Sequence, residues 1–425
     1  MSPPRGIALA GNDWSVLDGL RPDTPPLVSV VVAHYRQPDD LARTLAALGG
    51  QSHPADRLEI IVADDGSPRP PELFAGIRLV RQADEGFRLA AVRNLGAAAA
   101  TGDVLVFLDA DTVPEPEFVS ELVRMPALAP DIVTVGRRRH ADLEGVAPTA
   151  DIRSIVPGRE LSDPGWLESA YRASHNLRAS DDRSYRFLIG AVLACSKMLF
   201  EEVGGFDESF RAYGGEDWEW GYRAWRRGAA FAHVPSAVAW HNGPDAAGRT
   251  DEPSAPAVLG AKNAEALRLA DLIPVPGSRP RGLRSDKVDV AVTPPSGATV
   301  GQSFVSVDAV VAALRYAEPA SPAEVATGAG RFDRVRLHVE ILRPIRVDGP
   351  GLAAAVRQMT EDDLAELIVV DETEVPLIRV RALRAAARHR RWTRTDLFPA
   401  VRKPVPGVAV LQAEADVEAY LGGWA

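Results

Sequence analysis

The chain has 425 residues, 46% hydrophobic and 25% charged, with a formal net charge of −10; this is an ordinary globular composition, long enough for about two or three domains, and too acidic for nucleic acid to be the main partner. A single cysteine, Cys195, excludes a disulfide framework and a cysteine-built zinc site, and suits a reducing, cytoplasmic compartment. No stretch approaches the roughly 18 uninterrupted apolar residues of a membrane span, and the N-terminus lacks a basic-then-apolar signal pattern.

Residues 1–26 carry little periodicity and read as an N-terminal leader lying over the first domain. The β-branched run Val28–Ala33 predicts a buried strand, with His34, Tyr35 and Arg36 at its carboxyl end. Leu41, Leu45 and Leu48 recur at helical spacing within Pro38–Gly49. Leu58–Ala63 is a second strand, running into Asp64-Asp65-Gly66-Ser67, and Ile77–Arg81 a shorter third. Gly86–Ala100 reads as helix, and Val104–Asp109 as a fully buried strand that delivers Asp109-Ala110-Asp111. Glu117–Met125 is then helical, Asp131–Arg137 a strand, and His140–Arg186 polar and irregular, folding over the site. Phe187–Ala194 is apolar with Gly190 inside it, and a Gly-Gly turn follows at Gly204-Gly205. Tyr213-Gly214-Gly215 precedes a helix, Glu216–Arg227; a strand over Ala230–Trp240 ends at His241; Asn242–Pro256 is loop and Ala257–Ala270 helix. This alternation predicts an α/β, doubly wound, mostly parallel sheet over residues 27–275.

Pro274–Pro280 reads as a linker, and residues 281–425 as an α+β accessory domain of unassigned role. Strands are expected at Lys287–Val292, Phe304–Val311, Val335–Leu342 and Ile368–Asp371, and helices at Leu352–Leu367, Val380–Arg391 and Ala413–Tyr420. Arg379–Arg394 is strongly basic through Arg384, Arg388, Arg390, Arg391 and Arg394; it reads as a solvated face, with peripheral contact to an anionic acceptor or membrane as the alternative.

Chemistry concentrates where strands end. In an open α/β sheet the carboxyl ends of parallel strands form one binding rim. Asp109 and Asp111, one residue apart in extended chain, face one small volume, and a hard divalent cation relieves their repulsion; the alternative is a surface turn. Asp65 is placed to accept a hydrogen bond from a nucleobase imide, although Asp-Gly also marks a plain turn. Glu216 and Asp217 sit at a helix N-terminus, where the dipole favours carboxylates, so they are either caps or an acid–base pair. On that helix Trp218, Tyr222 and Trp225 form a core-like stripe, whereas Trp220 and Tyr213 lie off it, as candidates for stacking on a sugar ring.

Taken together, the segments around Val28–Tyr35, Val62–Ser67, Gly86–Asn94, Phe107–Asp111, Gly204–Asp207 and Tyr213–Asp217 resemble family 2 glycosyltransferases of the GT-A (Rossmann-like) fold. The likeness is to bacterial chondroitin-type polymerase domains and to galactosyltransferases with a G-G-E-D motif. It implies an inverting hexosyltransferase in polysaccharide biosynthesis or related chemistry, moving sugar from a UDP-sugar to a hydroxyl on a glycan, glycolipid or small glycoside. It also implies that Ala33, Tyr35, Asp65, Arg93 and Asp109 contact the nucleotide, and that Asp111 and His241 hold Mn2+ or Mg2+. Asp217 would be the catalytic base, and Glu216, with Trp218, Trp220 and Tyr213, would bind acceptor. The chain departs from the polymerases in having one such domain. At Ala33, where relatives often have threonine, the contact is expected through backbone. The rival readings are a catalytically inactive sugar-nucleotide or glycan-binding module and a sugar nucleotidyltransferase; Ala33–Asp40 is not the glycine-rich basic loop that the latter needs.

Overall fold

The computed structural model describes residues 3–244 and 255–423, with the side chains of 255–258 and 261 left aside. Most of the loop expected over Asn242–Pro256 therefore lies outside the described residues. The chain divides into two compact units, Pro4–Trp225 with Ala229–Ala266, and Leu267–Ala425 with Met1–Pro3 and Arg226–Gly228. The linker expected at Pro274–Pro280 lies a few residues beyond that division.

In the first unit the order is β1 (Val28–His34), α1 (Pro38–Gly49), β2 (Leu58–Asp64), β3 (Arg78–Arg81), α2 (Leu89–Ala99), β4 (Val104–Asp109), β5 (Thr112–Pro114), α3 (Phe118–Leu128), β6 (Ile132–Ala141), α4 (Ile152–Ile155), α5 (Gly165–Ala173), β7 (Val192–Ser196), α6 (Lys197–Val203), α7 (Glu216–Arg226), β8 (Ala230–Asn242) and α8 (Ala255–Leu272). The eight strands lie in the order β3-β2-β1-β4-β7-β6-β8-β5. Only β5 and β7 run against the rest, so the mostly parallel sheet expected from the alternation is present. Every residue of β1 is buried, as a strand covered on both faces requires. α1 starts on Pro38, whose missing N–H costs nothing in a first turn, carries Asp39 and Asp40 at its positive end, and buries Leu41, Leu45 and Leu48.

The N-terminal segment packs on the first unit, with Leu9, Trp14 and Leu17 buried against Met125, Ile132 and Ala230. The stretch His140–Arg186 is less irregular than its polarity implied. β6 reaches Ala141, and α4 and α5 lie within it; α5 buries only Leu167 and Tyr171, too sparse a stripe for periodicity to reveal.

The second unit follows with β9 (Val290–Thr293), α9 (Val300–Ala313), β10 (Ala317–Pro319), α10 (Pro322–Thr327), β11 (Leu337–Ile341), β12 (Ile345–Val347), α11 (Gly351–Glu361), β13 (Glu366–Val370), β14 (Pro376–Ala382), α12 (Leu383–Trp392), β15 (Ala400–Pro404), β16 (Val408–Val410) and α13 (Val417–Tyr420). Its main sheet, β10-β9-β11-β14-β13-β15, mixes parallel and antiparallel pairs, and β12 pairs β16. The strand expected at Phe304–Val311 is helical. A capping box between Thr299 and Gln302 starts α9, and the apolar run is a buried helix face, which period alone does not separate from a buried strand. Val380 is not helical either; it pairs with Val339 and Leu367 in the sheet, and the helix begins at Leu383.

The basic stretch is a solvated face only in part: Arg390 and Arg394 are exposed. Arg384 and Arg388 are buried. Arg384 bonds both oxygens of Asp363, at 2.8 and 2.7 Å, and both guanidiniums lie over the Phe398 ring, at 4.8 and 4.9 Å. These two arginines are thereby withdrawn from any docking surface. Among the described residues no helix is long and apolar enough to cross a membrane.

Candidate active site

The carboxyl ends of β2, β1, β4 and β8 bring His34, Asp64, Asp65, Asp109 and His241 to one rim of the sheet. The adjacent carboxylates after β2 differ in employment. Asp64 is held by His34 Nδ1 (2.8 Å), Ser67 N (3.0 Å) and Arg81 Nε (2.8 Å). Burial raises its pKa, but these donors outweigh burial and hold it below the usual carboxylate range. Asp65 accepts from Gln82 Nε2 at 2.5 Å and from Arg88 N at 2.9 Å. A carboxylate has about four lone-pair sites, so Asp65 keeps capacity for a further donor. Tyr35 is partly exposed, with its hydroxyl donating to Asp84 Oδ2 at 3.1 Å. Ala33 is buried, and its carbonyl accepts from Ala110 N.

Beyond β4 the chain reverses into β5, which pairs antiparallel with β8 and sets Thr112 opposite His241. That register places Asp111 beside the histidine. His241 Nδ1 lies 3.2 Å from Asp111 Oδ1, out of hydrogen-bonding line, and stays buried without a hydrogen-bond partner. Gln37 Nε2 donates to Asp111 Oδ2 at 3.3 Å and Thr112 Oγ1 to Oδ1 at 3.2 Å. Burial raises the Asp111 pKa, but nearby His241, Gln37 and Thr112 prevail and keep it low, hence ionised. A buried imidazole nitrogen with no partner, beside an ionised carboxylate, is a fitting pair of donors for a divalent cation. Among the described residues no group of three or more His, Cys, Asp or Glu is placed to hold a metal ion. Magnesium and manganese commonly take one or two carboxylate ligands and complete their shell with water and phosphate oxygens. His140 stands edge-on to His241, ring centroids 5.3 Å apart, where β6 and β8 run in register.

Across the rim, α7 presents Glu216 and Asp217. Gly214 and Gly215 precede it at φ +94° and +91°. Arg93 on α2, 2% exposed, joins the two sides. Its Nη2 bonds Asp109 Oδ1 at 2.7 Å and its Nη1 bonds Glu216 Oε1 at 2.8 Å. Glu216 Oε2 remains buried and unpartnered. Asp217 Oδ2 accepts from Gly190 N at 2.9 Å and Oδ1 from Trp218 N at 2.8 Å. A side chain at Gly190 would meet Arg93, because a β-carbon there would lie 2.6 Å from Nη1; glycine lets the backbone reach Asp217 past the arginine. Burial first, and then the charge of Asp217, push the Glu216 carboxyl up to about 7. Burial likewise raises Asp217, against the opposing pull of its amide donors and Arg93.

The aromatic candidates separate. Trp220 is 0% exposed and packs between Phe200 and Phe206, at 5.8 and 5.7 Å, so it belongs to the core and not to an acceptor site; its position off the stripe misled, because α7 is buried on more than one side, with Glu219 and Gly221 also inside. Trp218 is partly buried, edge-on to Tyr185 at 6.4 Å. Tyr213 is 64% exposed and meets Phe87 edge-on at 6.3 Å. Sequence reasoning missed the Arg93 bridge, the Gly190 amide, Gln37 and His140. Gly190 within an apolar run was the one signal available, since such a glycine marks close backbone approach.

Residues 29–204 match the family model described as Glycosyl transferase family 2, and residues 174–241 the one described as N-terminal domain of galactosyltransferase. Chondroitin synthase of Escherichia coli is 32% identical over 252 residues, covering 54% of this chain and 35% of that protein. Hyaluronan synthase of Pasteurella multocida is 31% identical over 252 residues, covering 53% and 26%. The chain thus spans about a third or less of the length of these two curated relatives. Among solved structures, a mannosyltransferase from Pyrobaculum calidifontis aligns with a TM-score of 0.41 at 19% identity, over 59% of this chain and 63% of that one. On these matches, residues 29–204 carry a domain of the kind described as Glycosyl transferase family 2, over less than half of the chain.

Proposed function

We propose that this domain transfers a hexosyl group from a UDP-sugar to a hydroxyl of a carbohydrate, glycolipid or small glycoside, with inversion and dependence on a divalent cation. The observation that carries the reading is the Arg93 bridge, which fastens Asp109, two residues before Asp111, to Glu216, next to Asp217. A candidate cation side and a candidate base side thereby share one rigid frame, the preorganisation that group transfer requires.

In this reading Asp111 and His241 hold manganese or magnesium, and the bound cation supplies positive charge for the departing diphosphate. Asp65 accepts the imide proton of uracil, and Tyr35 lies alongside the base. Asp217 takes the proton of the attacking hydroxyl. Its two backbone donors fix its orientation, its raised pKa makes it a stronger base, and the lone pairs those donors leave are available to the hydroxyl. Direct attack on the carbon bearing the diphosphate, from the opposite face, inverts it. Arg93 positions the carboxylates. A cytoplasmic setting fits a lone, buried Cys195.

Calorimetric titration of UDP tests the reading. Wild-type protein should bind UDP only with manganese present, and Asp111→Ala and His241→Ala should each weaken that binding by about tenfold or more. Unchanged affinity and unchanged manganese dependence in both variants would sink it.

A further inference from the structure

Helix α8 returns a third carboxylate to the acceptor-side loop. Glu265 Oε2 and Oε1 lie 2.8 and 3.1 Å from where a β-carbon on Gly214 would stand. Gly214 also has φ +94°, a conformation that favours glycine. Glu265 is half-buried and, among the described residues, makes no hydrogen bond or ion pair. It faces the catalytic end of α7. Burial first and the charge of Asp217 second raise its pKa, with Lys262 opposing.

This corner has more acceptors than donors. Asp217 receives two backbone amides, and Glu216 receives Arg93 through one oxygen only. Among the described residues, Glu216 Oε2 is buried with no donor and Glu265 has none at either oxygen. Arg93 is already shared between Asp109 and Glu216. A buried acceptor atom left without a donor is costly, so a ligand that suits this corner brings donors of its own. It also brings no negative charge, since like charges at close range cost several kcal/mol in a partly buried site. The ring of Tyr213, next to Gly214 and largely exposed, offers a stacking face.

We propose that Glu265 is an acceptor-recognition residue that, with Tyr213 and the Glu216–Asp217 pair, forms a subsite for an uncharged, hydroxyl-rich sugar ring and rejects acceptors carrying a carboxylate or phosphate beside the attacked hydroxyl. The inference rests on the assignment of Asp217 to the base side. Glu265 lies outside every motif that carried the family resemblance.

The test uses the full chain, manganese, the UDP-sugar that it consumes, and two matched acceptors, methyl β-glucopyranoside and methyl β-glucuronide. Wild type should favour the neutral acceptor. Glu265→Ala should raise the KM for the glucopyranoside about tenfold. Glu265→Gln, which keeps the shape and removes the charge, should narrow the neutral-to-anionic preference about tenfold. UDP affinity, measured by calorimetry, should hold in both variants. UDP binding with unchanged acceptor KM and unchanged preference overturns the inference alone. A fall in UDP affinity that accompanies the acceptor effect also overturns it, as the mark of a structural role. A wild-type chain that binds no UDP in manganese overturns the donor reading on which it rests.

Discussion

Replacing Arg93 by methionine removes the only cation bonded to both Asp109 and Glu216 among the described residues, and keeps most of the side-chain volume. The arginine is 2% exposed, the Glu216 side chain 6% and the Asp109 side chain 29%. Removing one partner of a buried ion pair costs about 3–5 kcal/mol, because the other charge stays buried and uncompensated. That figure applies to Glu216. The Asp109 pair, nearly a third exposed, adds about 1 kcal/mol or less. For a unit of this size about 1 kcal/mol moves the melting temperature by roughly 2–4 °C, so a total of about 3–6 kcal/mol should make Arg93→Met melt about 6–24 °C lower. The deficit should depend on pH in a definite direction. Glu216 is raised in the folded protein above its ordinary value, so between that value and about 7 the folded state holds a proton that the unfolded state has released. Stability from this group therefore falls as pH rises through that window. Without Arg93 the folded pKa rises further and the window extends upward, so the variant's deficit should be large near pH 8.5 and shrink near pH 5.5. Melts followed by the fluorescence of buried Trp220 and Trp225 give the comparison. A variant that melts within about 2 °C of wild type at both pH values, or one whose deficit grows in acid, would refute the reasoning.

Two further outcomes follow from the same geometry. If the Asp65 carboxylate accepts from the uracil imide as proposed, Asp65→Asn should erase a preference for UDP over CDP; equal affinities of the wild type for the two nucleotides, by calorimetry, would contradict that role. The acid limb of the pH profile of kcat/KM should lie above about 4, the ordinary carboxylate value, since Asp217 is raised by burial and works only when deprotonated; a limb at an ordinary carboxylate value would place the base elsewhere.

Much of the rim was legible in sequence because local pattern and position agree there. β-branched runs marked β1, β2 and β4, and each ends in the polar residues expected at a carboxyl edge. What periodicity does not carry depends on tertiary register. Only the family resemblance pairs Asp111 with His241 in the sequence, because the three-residue strand β5 that folds back on β8 to bring them together is too short for a periodic signal. Arg93 was expected at the nucleotide, yet its helix carries it beneath the rim to bridge two carboxylates 16 and 123 residues away. Trp220 shows the limit of a stripe argument, which assumes one buried face per helix while α7 buries more. In the second unit, the apolar run Phe304–Val311 is helix and not strand, since a buried helix and a buried strand both show as unbroken hydrophobicity, and the helix expected from Val380 begins at Leu383.

The proposed role of Asp217, taking the proton of the acceptor hydroxyl in a sugar transfer from a UDP-sugar, is measured by Asp217→Asn. Asparagine keeps the size and still offers an oxygen to a backbone amide, but it cannot accept the proton. Turnover of the UDP-sugar onto acceptor should fall by about 10²–10⁴, while UDP affinity in manganese stays at the wild-type value, because Asp111 and His241 are untouched. Near-normal turnover in the variant, or loss of UDP binding together with activity, would contradict the account and make Glu216 the first candidate for the base.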